Sequence, residues 1–347
     1  MAITTSELDA ILRALPWPVA VVGADARIAA TNAPLDAILG EHPVGRHHIT
    51  AFRQPALLDA IARARQTGEA QQTRYFGRDG DRDVTWAVQV APELGRMIVS
   101  FEDLSAAEDA IQMRRDFVAN VSHELRTPLT ALLGFIETLQ GPARDDAAAR
   151  ARFLELMAGE AQRMTSLIDD LLSLSRVEEN ERLRPTAPVD LHAMFASVEE
   201  VMGPRAQAAG VELKFDLPRD LPKVPGDADQ LRQVFTNLVE NALKYAASGG
   251  EVLICGNPEQ HHRRLRGPGV LLQVRDRGEG IDAHHLPRLT ERFYRIDGHR
   301  SRAVGGTGLG LAIVKHIVNR HRGRFRIDSQ KGKGTTVSVL LPTGPLS

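Results

Sequence analysis

Two apolar stripes separated by a short break constrain the middle of this chain more than any other feature. Between residues 104 and 178 apolar side chains recur at heptad spacing, and the pattern stops at 141–146, which contains Gly141 and Pro142. The stripes comprise Val118, Val121, Leu125, Leu132, Phe135 and Leu139, then Leu154, Met157, Ala161, Met164, Ile168 and Leu171. The pattern predicts a helical hairpin with one apolar seam on each arm.

Two helices alone cannot enclose both seams. We therefore expect two copies of the chain to form a four-helix bundle, which would make the protein a homodimer. Packing of the hairpin against other parts of its own chain is the alternative.

One histidine lies off the first stripe, on the outer face of the predicted helix. Glu124 follows His123 directly and could accept a proton from one ring nitrogen, leaving the other with a nucleophilic lone pair. Pro128 cannot donate a hydrogen bond to the carbonyl group of Glu124, so we expect the helix to bend just past the histidine. Taken alone, a surface histidine such as His123 is usually only a solvated residue.

Composition sets wider limits on the function. A length of 347 residues suggests two or three domains, since a domain has roughly 100–200 residues. A net charge of -1 argues against direct nucleic-acid binding, and the single cysteine, Cys255, excludes an internal disulfide and suits a reducing cytoplasm. No apolar stretch reaches about 18 residues, so we expect no membrane span in this chain, although a partner or a missing anchor could attach it to a membrane.

The first hundred residues alternate short β-like runs with turns. Strands are predicted at 18–22, 28–31, 72–76, 84–90 and 97–101, with turns at 78–81 and 92–95. This order indicates an antiparallel sheet of five strands with helices between the second and the third. It resembles a PAS sensor domain, and residues 103–105 resemble the link from such a domain into a helix. Another small α+β module is the alternative.

Four further constellations lie in the last third of the chain, and the first two place polar groups on regular elements. Asn237, Asn241 and Lys244 recur at helical spacing, so amide oxygens could hold hydrated Mg²⁺ while the ammonium group meets phosphate. Asp276 follows the apolar run 270–274 and could accept a hydrogen bond from an exocyclic amine at the end of a strand. Taken alone, the first constellation is also explained as a polar helix face, and the second as a turn.

The other two constellations are rich in glycine. Residues 305–310 run into a helix whose first N–H groups can receive phosphate oxygens. Residues 332–335 precede a strand and have the composition of a hairpin turn. Neither glycine-rich segment is on its own a specific sign of a nucleotide site.

The segment His-Glu-Leu-Arg-Thr-Pro at 123–128 resembles the phosphoacceptor box of the sensor histidine kinases of two-component systems. The resemblance implies that His123 takes a phosphoryl group from ATP and passes it to an aspartate of a response regulator. It also implies that Thr127 occupies the family's phosphatase position. Residues 115–122 and 293–295 are most similar to phosphate-starvation sensors of the PhoR type.

In this order, the four constellations resemble the N, G1, G2 and G3 boxes of the Bergerat-type ATP-binding fold. The resemblance implies a mixed sheet layered on helices, with Asp276 on the adenine amine, Asn241 on Mg²⁺, and Phe293 at the start of a lid at 294–304 that carries Arg295, Arg300 and Arg302. The residues assigned to the nucleotide are Asn237, Asn241, Lys244, Tyr245, Asp276, Gly278, Gly280, Phe293, Gly306, Thr307, Gly308, Leu309, Gly310 and Thr335. A Rossmann fold lacks support because no early strand, glycine and helix unit precedes an acid.

One position of the first box separates kinases from ATPases. Relatives that hydrolyse ATP carry a glutamate where this chain has Asn237, and an amide cannot activate water as a base. We therefore expect an α+β multidomain histidine kinase with a PAS-like domain at 1–103, a phosphoacceptor hairpin at 104–183 and an ATP-binding domain at 184–347. A protein that acts mainly as a regulator phosphatase, an ATPase that is not a kinase, and a scaffold without activity are the alternatives.

Overall fold

The computed structural model describes residues 5–40, 43–79, 82–179, 183–245, 250–296 and 306–344. The chain divides into two compact units, Met1–Ala119 and Asn120–Ser347. The three predicted domains, with boundaries after residues 103 and 183, stay predictions. Within the described part of the chain, every helix is too short or too polar to cross a bilayer.

The first unit is built on an antiparallel sheet of five strands in the order β2-β1-β5-β4-β3. Its strands are β1 Val19–Val22, β2 Ile28–Thr31, β3 Gln71–Asp79, β4 Arg82–Glu93 and β5 Arg96–Asp103. The predicted five-stranded antiparallel sheet is therefore confirmed. Gly80 and Asp81, in the turn predicted at 78–81, lie outside the described residues.

The turn predicted at 92–95 is shorter than expected. Strand β4 continues through Pro92 to Glu93, leaving Leu94 and Gly95 as a tight turn with φ of 49° and 76°. Beyond Val90, β4 pairs with β5 alone, so the proline's missing N–H leaves no ladder bond to β3 unmade. A proline beside a hairpin is thus no reliable mark of a strand's end.

Helices cover both faces of this sheet. The helices are α1 Thr5–Ala14, α2 Ala33–Leu39, α3 His48–Phe52 and α4 Pro55–Thr67. The last three lie between β2 and β3, as predicted. Leu57 and Ile61 of α4 share a core with Trp86 and Phe101, while α1 contributes to a separate cluster around Val19. The identity of this unit as a PAS domain stays a prediction.

The predicted hairpin is confirmed. Helix α5 spans Ser105–Gln140 and α6 spans Ala147–Glu179, so the break falls at the predicted residues 141–146. Asp146 caps α6, because its Oδ1 accepts a hydrogen bond from the N–H of Ala149 at 2.9 Å. Helix α5 continues through Pro128, so the proline does not end the helix, and the expected bend stays a prediction.

The last part of the chain forms a mixed five-stranded sheet, as the resemblance implied. The strand order is β11-β12-β10-β9-β7, in which β7 and β9 are parallel and the other pairs antiparallel. The sheet strands are β7 Glu212–Asp216, β9 Glu251–His262, β10 Gly267–Asp276, β11 Arg324–Gln330 and β12 Gly334–Pro342, and a separate pair is formed by β6 Pro188–Val189 and β8 Val224–Pro225. The helices are α7 Leu191–Ala208, α8 Ala228–Tyr245 and α9 Gly310–Arg320, with a short 3-10 helix at Leu286–Arg288.

The spacing of apolar residues along α8 determines where its polar side chains lie. Helix α8 belongs to the lobe formed by the elements from β6 to β12. Leu231, Phe235 and Leu238 are buried, and they recur on the face of α8 that packs into the lobe. Asn237 and Asn241 lie on a neighbouring face and are partly exposed. Burial of the apolar stripe therefore fixes where the two amide side chains lie.

Candidate active site

A cavity of about 700 Å³ opens beside α8 and brings most of the predicted nucleotide residues together. Its walls come from α8, the ends of β10 and β12, and the residues that lead into α9. The predicted residues that line it are Asn237, Asn241, Lys244, Tyr245, Asp276, Gly280, Gly306, Thr307, Gly308, Gly310 and Thr335. Predicted residues between Asn237 and Thr335 thus share one cavity.

Three of the predicted residues support the cavity without lining it. The N–H of Gly278 donates to Asp276 Oδ1 at 2.9 Å, and the N–H of Phe293 donates to the carbonyl oxygen of Gly308 at 2.9 Å. Leu309 is fully buried, and its N–H donates to Thr307 Oγ1 at 3.2 Å. These residues hold the neighbours that line the cavity.

Asp276 stands at the end of β10 and is fixed by the backbone around it. Its Oδ1 accepts hydrogen bonds from the N–H groups of Gly278 at 2.9 Å and Thr335 at 3.2 Å. Burial raises the pKa of the Asp276 carboxyl group and outweighs these two bonds, which lower it. A buried, immobilised carboxylate of this kind can accept a hydrogen bond from an amine of a ligand.

The polar face of α8 lies along one side of the cavity. Asn237 Nδ2 lies 3.5 Å from the carbonyl oxygen of Gly310, at the start of α9. Lys244 Nζ lies 2.9 Å from Oε1 of Glu240, one turn earlier on the same helix. Tyr245 is 55% exposed at the end of α8, so its ring stands at the rim.

Two of the glycines are required by close backbone approaches. Gly280 has φ of 65°, and a Cβ atom there would lie 2.0 Å from the carbonyl oxygen of Gln330. Gly308 has φ of 74°, and a Cβ atom there would lie 2.9 Å from backbone atoms of Phe293. Side chains at these two positions would force the walls of the cavity apart.

The beginning of the predicted lid also lines the cavity. Tyr294, Arg295 and Ile296 contribute to its wall. Arg300 and Arg302 lie outside the described residues, as does Gly305 at the start of the glycine run.

His123 is exposed on α5, as its position off the apolar stripe predicted. The hydroxyl group of Thr127 donates to the carbonyl oxygen of His123 at 3.2 Å. The Glu124 carboxylate lies 3.7 Å from Arg163 and 3.9 Å from Arg295. Among the described residues no hydrogen bond joins it to the His123 ring, so the ring contact predicted for Glu124 is not formed in this arrangement.

Five charged residues of the cavity were not predicted from the sequence, namely Asp169, Asp170, Arg205, Glu240 and Glu279. Asp170 of α6 accepts a hydrogen bond from Thr307 Oγ1 at 2.7 Å, and burial raises its pKa. Arg205 of α7 and Glu240 of α8 line the same cavity. Glu240 had a usable signal, since it lies within a turn of Asn237 and Lys244, whereas Asp170 and Arg205 reach the cavity only through tertiary packing.

Helix α6 makes further polar contacts with the lobe that contains the cavity. Ser173 Oγ lies 2.9 Å from Oε1 of Gln233 on α8, and the Glu178 carboxylate pairs with Arg292. The hairpin and the lobe are therefore joined at Asp170 and again further along α6 towards its C-terminus.

Comparison with known families identifies both the hairpin and the lobe that contains the cavity. Residues 113–180 match the His Kinase A (phospho-acceptor) domain. Residues 226–345 match the Histidine kinase-, DNA gyrase B-, and HSP90-like ATPase family, and the two matches together cover more than half of the chain. The chain belongs to the sensor histidine kinases.

The relatives of this sensor histidine kinase include a phosphate regulon sensor and a sensor-like histidine kinase. It is 43% identical over 235 residues to the phosphate regulon sensor protein PhoR of Pseudomonas aeruginosa, covering 67% of this chain and 51% of that protein. It is 39% identical over 248 residues to the sensor-like histidine kinase SenX3 of Mycolicibacterium smegmatis, covering 72% of this chain and 62% of that protein. The chain thus spans between half and two thirds of the length of these relatives.

A solved histidine kinase has a similar fold. The structure of the histidine kinase ThkA in complex with the response regulator protein TrrA matches 97% of this chain and 98% of that chain, with a TM-score of 0.53 and 19% identity. At this identity the match supports the fold of the histidine kinase alone.

Proposed function

We propose that this histidine kinase transfers the γ-phosphoryl group of ATP to His123 and then to an aspartate of a response regulator. One observation carries the proposal. An exposed histidine on a phosphoacceptor hairpin shares a compact unit with an ATPase-type cavity, and Arg295 of that cavity lies 3.9 Å from Glu124, beside the histidine. Because ATP is the donor, the proposal also places the reaction in the cytoplasm.

The lining of the cavity suits ATP. Asp276 would accept a hydrogen bond from the adenine amine, with Tyr245 at the rim near the base. Lys244 and the N–H groups that begin α9 would face the triphosphate, since a helix N-terminus favours anions. Phosphoryl transfer depends on positioning and on neutralising charge, and these groups supply both.

The same lining suits Mg²⁺, which prefers oxygen ligands and keeps several waters when bound. The side-chain oxygen of Asn241 and the Glu240 carboxylate belong to one helix and line one cavity. Asn241 would therefore hold the ion, with Asn237 next to it. The bound ion would neutralise charge on the phosphate oxygens of ATP.

In the proposed reaction a neutral ring nitrogen of His123 attacks the γ-phosphorus. A nitrogen–phosphorus bond forms, the bond from phosphorus to the β-γ bridging oxygen breaks, and ADP leaves. Glu124 would take the proton from the other ring nitrogen, for which its carboxylate must leave Arg163 and Arg295. Asn237 cannot activate water, which favours transfer over hydrolysis and disfavours an ATPase that is not a kinase.

Labelling with γ-labelled ATP tests this proposal. His123→Gln should abolish the covalent label while ATP binding stays within about twofold of the wild-type protein, because His123 lies outside the cavity lining. His261→Gln, at another exposed histidine, should label normally. A label retained in His123→Gln, or an unlabelled wild-type protein, contradicts the proposal.

Thr127 is proposed to place the water that removes the phosphoryl group from the regulator aspartate. Thr127→Ala should preserve labelling of His123 and slow dephosphorylation of a phosphorylated regulator at least about tenfold, the scale of a lost positioning contact. Thr130→Ala is the matched control, because the exposed Thr130 hydroxyl makes the same backbone bond, to Arg126 at 2.9 Å. Equal loss of both activities in Thr127→Ala would refute this role.

A homodimer is part of the proposal. Apolar side chains remain exposed along both arms of the hairpin, namely Leu129, Leu133, Ile136, Leu154, Ile168 and Leu172. Their burial against a second hairpin would complete the four-helix bundle that the sequence predicts.

A phosphate-responsive role is the favoured signalling context, because the relative at 43% identity is a phosphate regulon sensor. Phosphorylation of the partner regulator should then rise when cells are moved from phosphate-rich to phosphate-poor medium. An unchanged level would remove this context. A regulator that the purified protein dephosphorylates faster than it phosphorylates would favour the mainly phosphatase alternative.

A further inference from the structure

A cation from α7 lies at the cavity although α7 carries no nucleotide-binding motif. Arg205 stands in the last turn of α7 and contributes to the cavity wall. Its Nη1 lies 3.9 Å from Glu240 Oε1, and Lys244 Nζ lies 2.9 Å from the same oxygen. Cations from two helices therefore converge on one carboxylate oxygen.

The described lining of the cavity has more acidic than basic side chains. The acidic side chains among the described lining residues are Asp169, Asp170, Glu240, Asp276 and Glu279, and the basic ones are Arg205, Lys244 and Arg295. Arg295 lies 3.9 Å from Glu124 of the hairpin. Arg205 and Lys244, which both lie beside Glu240, can therefore offset part of the charge of a strongly anionic ligand in this acidic cavity.

We propose that Arg205 binds the phosphate chain of the nucleotide beside Lys244, and that Glu240 positions both cations for it. The inference rests on the proposed binding of ATP. A guanidinium group presents several N–H donors in a plane and can bind phosphate oxygens in pairs, which the ammonium group of Lys244 cannot do. Because Asp276 would hold the adenine, Arg205 acts on phosphate and not on the base.

Affinities of the full chain for ATP, ADP and AMP, measured by calorimetry, test the proposal. Arg205→Gln should weaken ATP binding about tenfold and AMP binding less than about twofold, since AMP lacks the outer phosphates. Arg205→Lys should recover part of the loss because it keeps the charge. Arg232→Gln is the matched control, since Arg232 lies on α8, pairs with Asp229 at 2.8 Å and does not line the cavity.

The outcomes separate this inference from the proposed function. A wild-type protein that binds no ATP refutes the proposed function. Normal ATP binding by both the wild-type protein and Arg205→Gln refutes the role of Arg205 alone. An equal loss for ATP and AMP would assign Arg205 a structural role and would also overturn the inference.

A double-mutant cycle distinguishes direct contact from simple neutralisation of Glu240. If Arg205 binds phosphate, Arg205→Gln should still weaken ATP binding at least about threefold when Glu240 is already replaced by Gln, and by less than the effect in the wild-type background because Glu240 no longer positions the guanidinium group. If Arg205 only offsets the Glu240 charge, the effect should vanish in that background. The second result would overturn the inference.

Discussion

His321 shows how one buried side chain joins two helices of the ATP-binding lobe. It is 1% exposed, its Nδ1 lies 2.8 Å from the carbonyl oxygen of Ile317, and its Nε2 accepts the N–H of Asp227 at 3.0 Å. These bonds require a neutral ring with the proton on Nδ1. Burial lowers the pKa of His321 and outweighs the Ile317 bond and the Asp227 charge, which raise it.

The stability of the protein should therefore depend on pH through His321. The folded pKa is below the ordinary value of 6.5, so the stabilisation is complete above that pH and is lost as the pH falls through the folded pKa. Urea unfolding of the wild-type protein should show this loss. His321→Gln should cost about 1–3 kcal/mol near neutral pH and remove that part of the pH dependence.

The exposed His261 provides the control for this measurement. His261→Gln should leave both the free energy of unfolding and its pH profile unchanged. A pH profile of His321→Gln that matches the wild-type profile would contradict the explanation.

Residues of the site could be predicted from the sequence where they belong to a motif whose residue types indicate their chemistry. Asp276 and Asn241 follow from their neighbours in sequence, and both line the cavity. Asp170 and Arg205 line it as well, but their positions depend on how α6 and α7 pack against α8, which local sequence does not encode. Glu124 was assigned to the His123 ring because it is adjacent in sequence, whereas in the fold its carboxylate lies nearer to Arg163 and Arg295.

At the scale of elements, the turn after β10 depends on a glycine that contacts the end of β11. The Gly280 backbone has φ of 65° and no room for a Cβ atom beside Gln330, while Gly332 has φ of 81° and open space around it. Substitutions at these two glycines therefore distinguish the cost of the left-handed backbone from the cost of steric overlap.

Gly332→Ala should cost about 1–2 kcal/mol, the usual penalty of a left-handed backbone for alanine. Gly280→Ala should cost at least about 3 kcal/mol, because overlap with the Gln330 carbonyl group adds to that penalty. Thermal and urea unfolding measure both. Similar losses in the two variants would mean that the turn relaxes and that the contact is not restrictive.

Helices and strands were predicted well where the residue composition and the period of the apolar pattern indicate the same boundary. The break between α5 and α6 lies where Gly141 and Pro142 interrupt the apolar pattern. The end of β4 was predicted too early, because the effect of Pro92 depends on whether a neighbouring strand needs its N–H. The end of β4 is therefore determined by which neighbouring strands pair with it, and not by Pro92 itself.

At the scale of the whole molecule, the proposed dimer depends on the exposed apolar faces of the hairpin. Leu133 and Ile168 are 53% and 45% exposed. Replacement of both by Glu should raise the dimer dissociation constant at least about 100-fold, since burial of each apolar side chain is worth about 1.5–3 kcal/mol. Analytical ultracentrifugation at micromolar concentration should then show monomers.

Leu94 supplies the control for the dimer, because it is 82% exposed in the tight turn between β4 and β5. Leu94→Glu should sediment as the wild-type dimer does. A wild-type protein that sediments only as a monomer would refute the proposed bundle.

The contact between Thr307 and Asp170 has a consequence for the whole unit. The Thr307 hydroxyl group has a single proton, and the Asp170 carboxylate of the hairpin receives it. If a phosphate oxygen of the proposed nucleotide took this proton, it would displace Asp170, and occupancy of the cavity would then oppose the contact of α6 with Thr307. Thermodynamic linkage would make this antagonism reciprocal: a signal that strengthened the contact would lower the affinity for ATP by the same factor by which ATP weakened the contact.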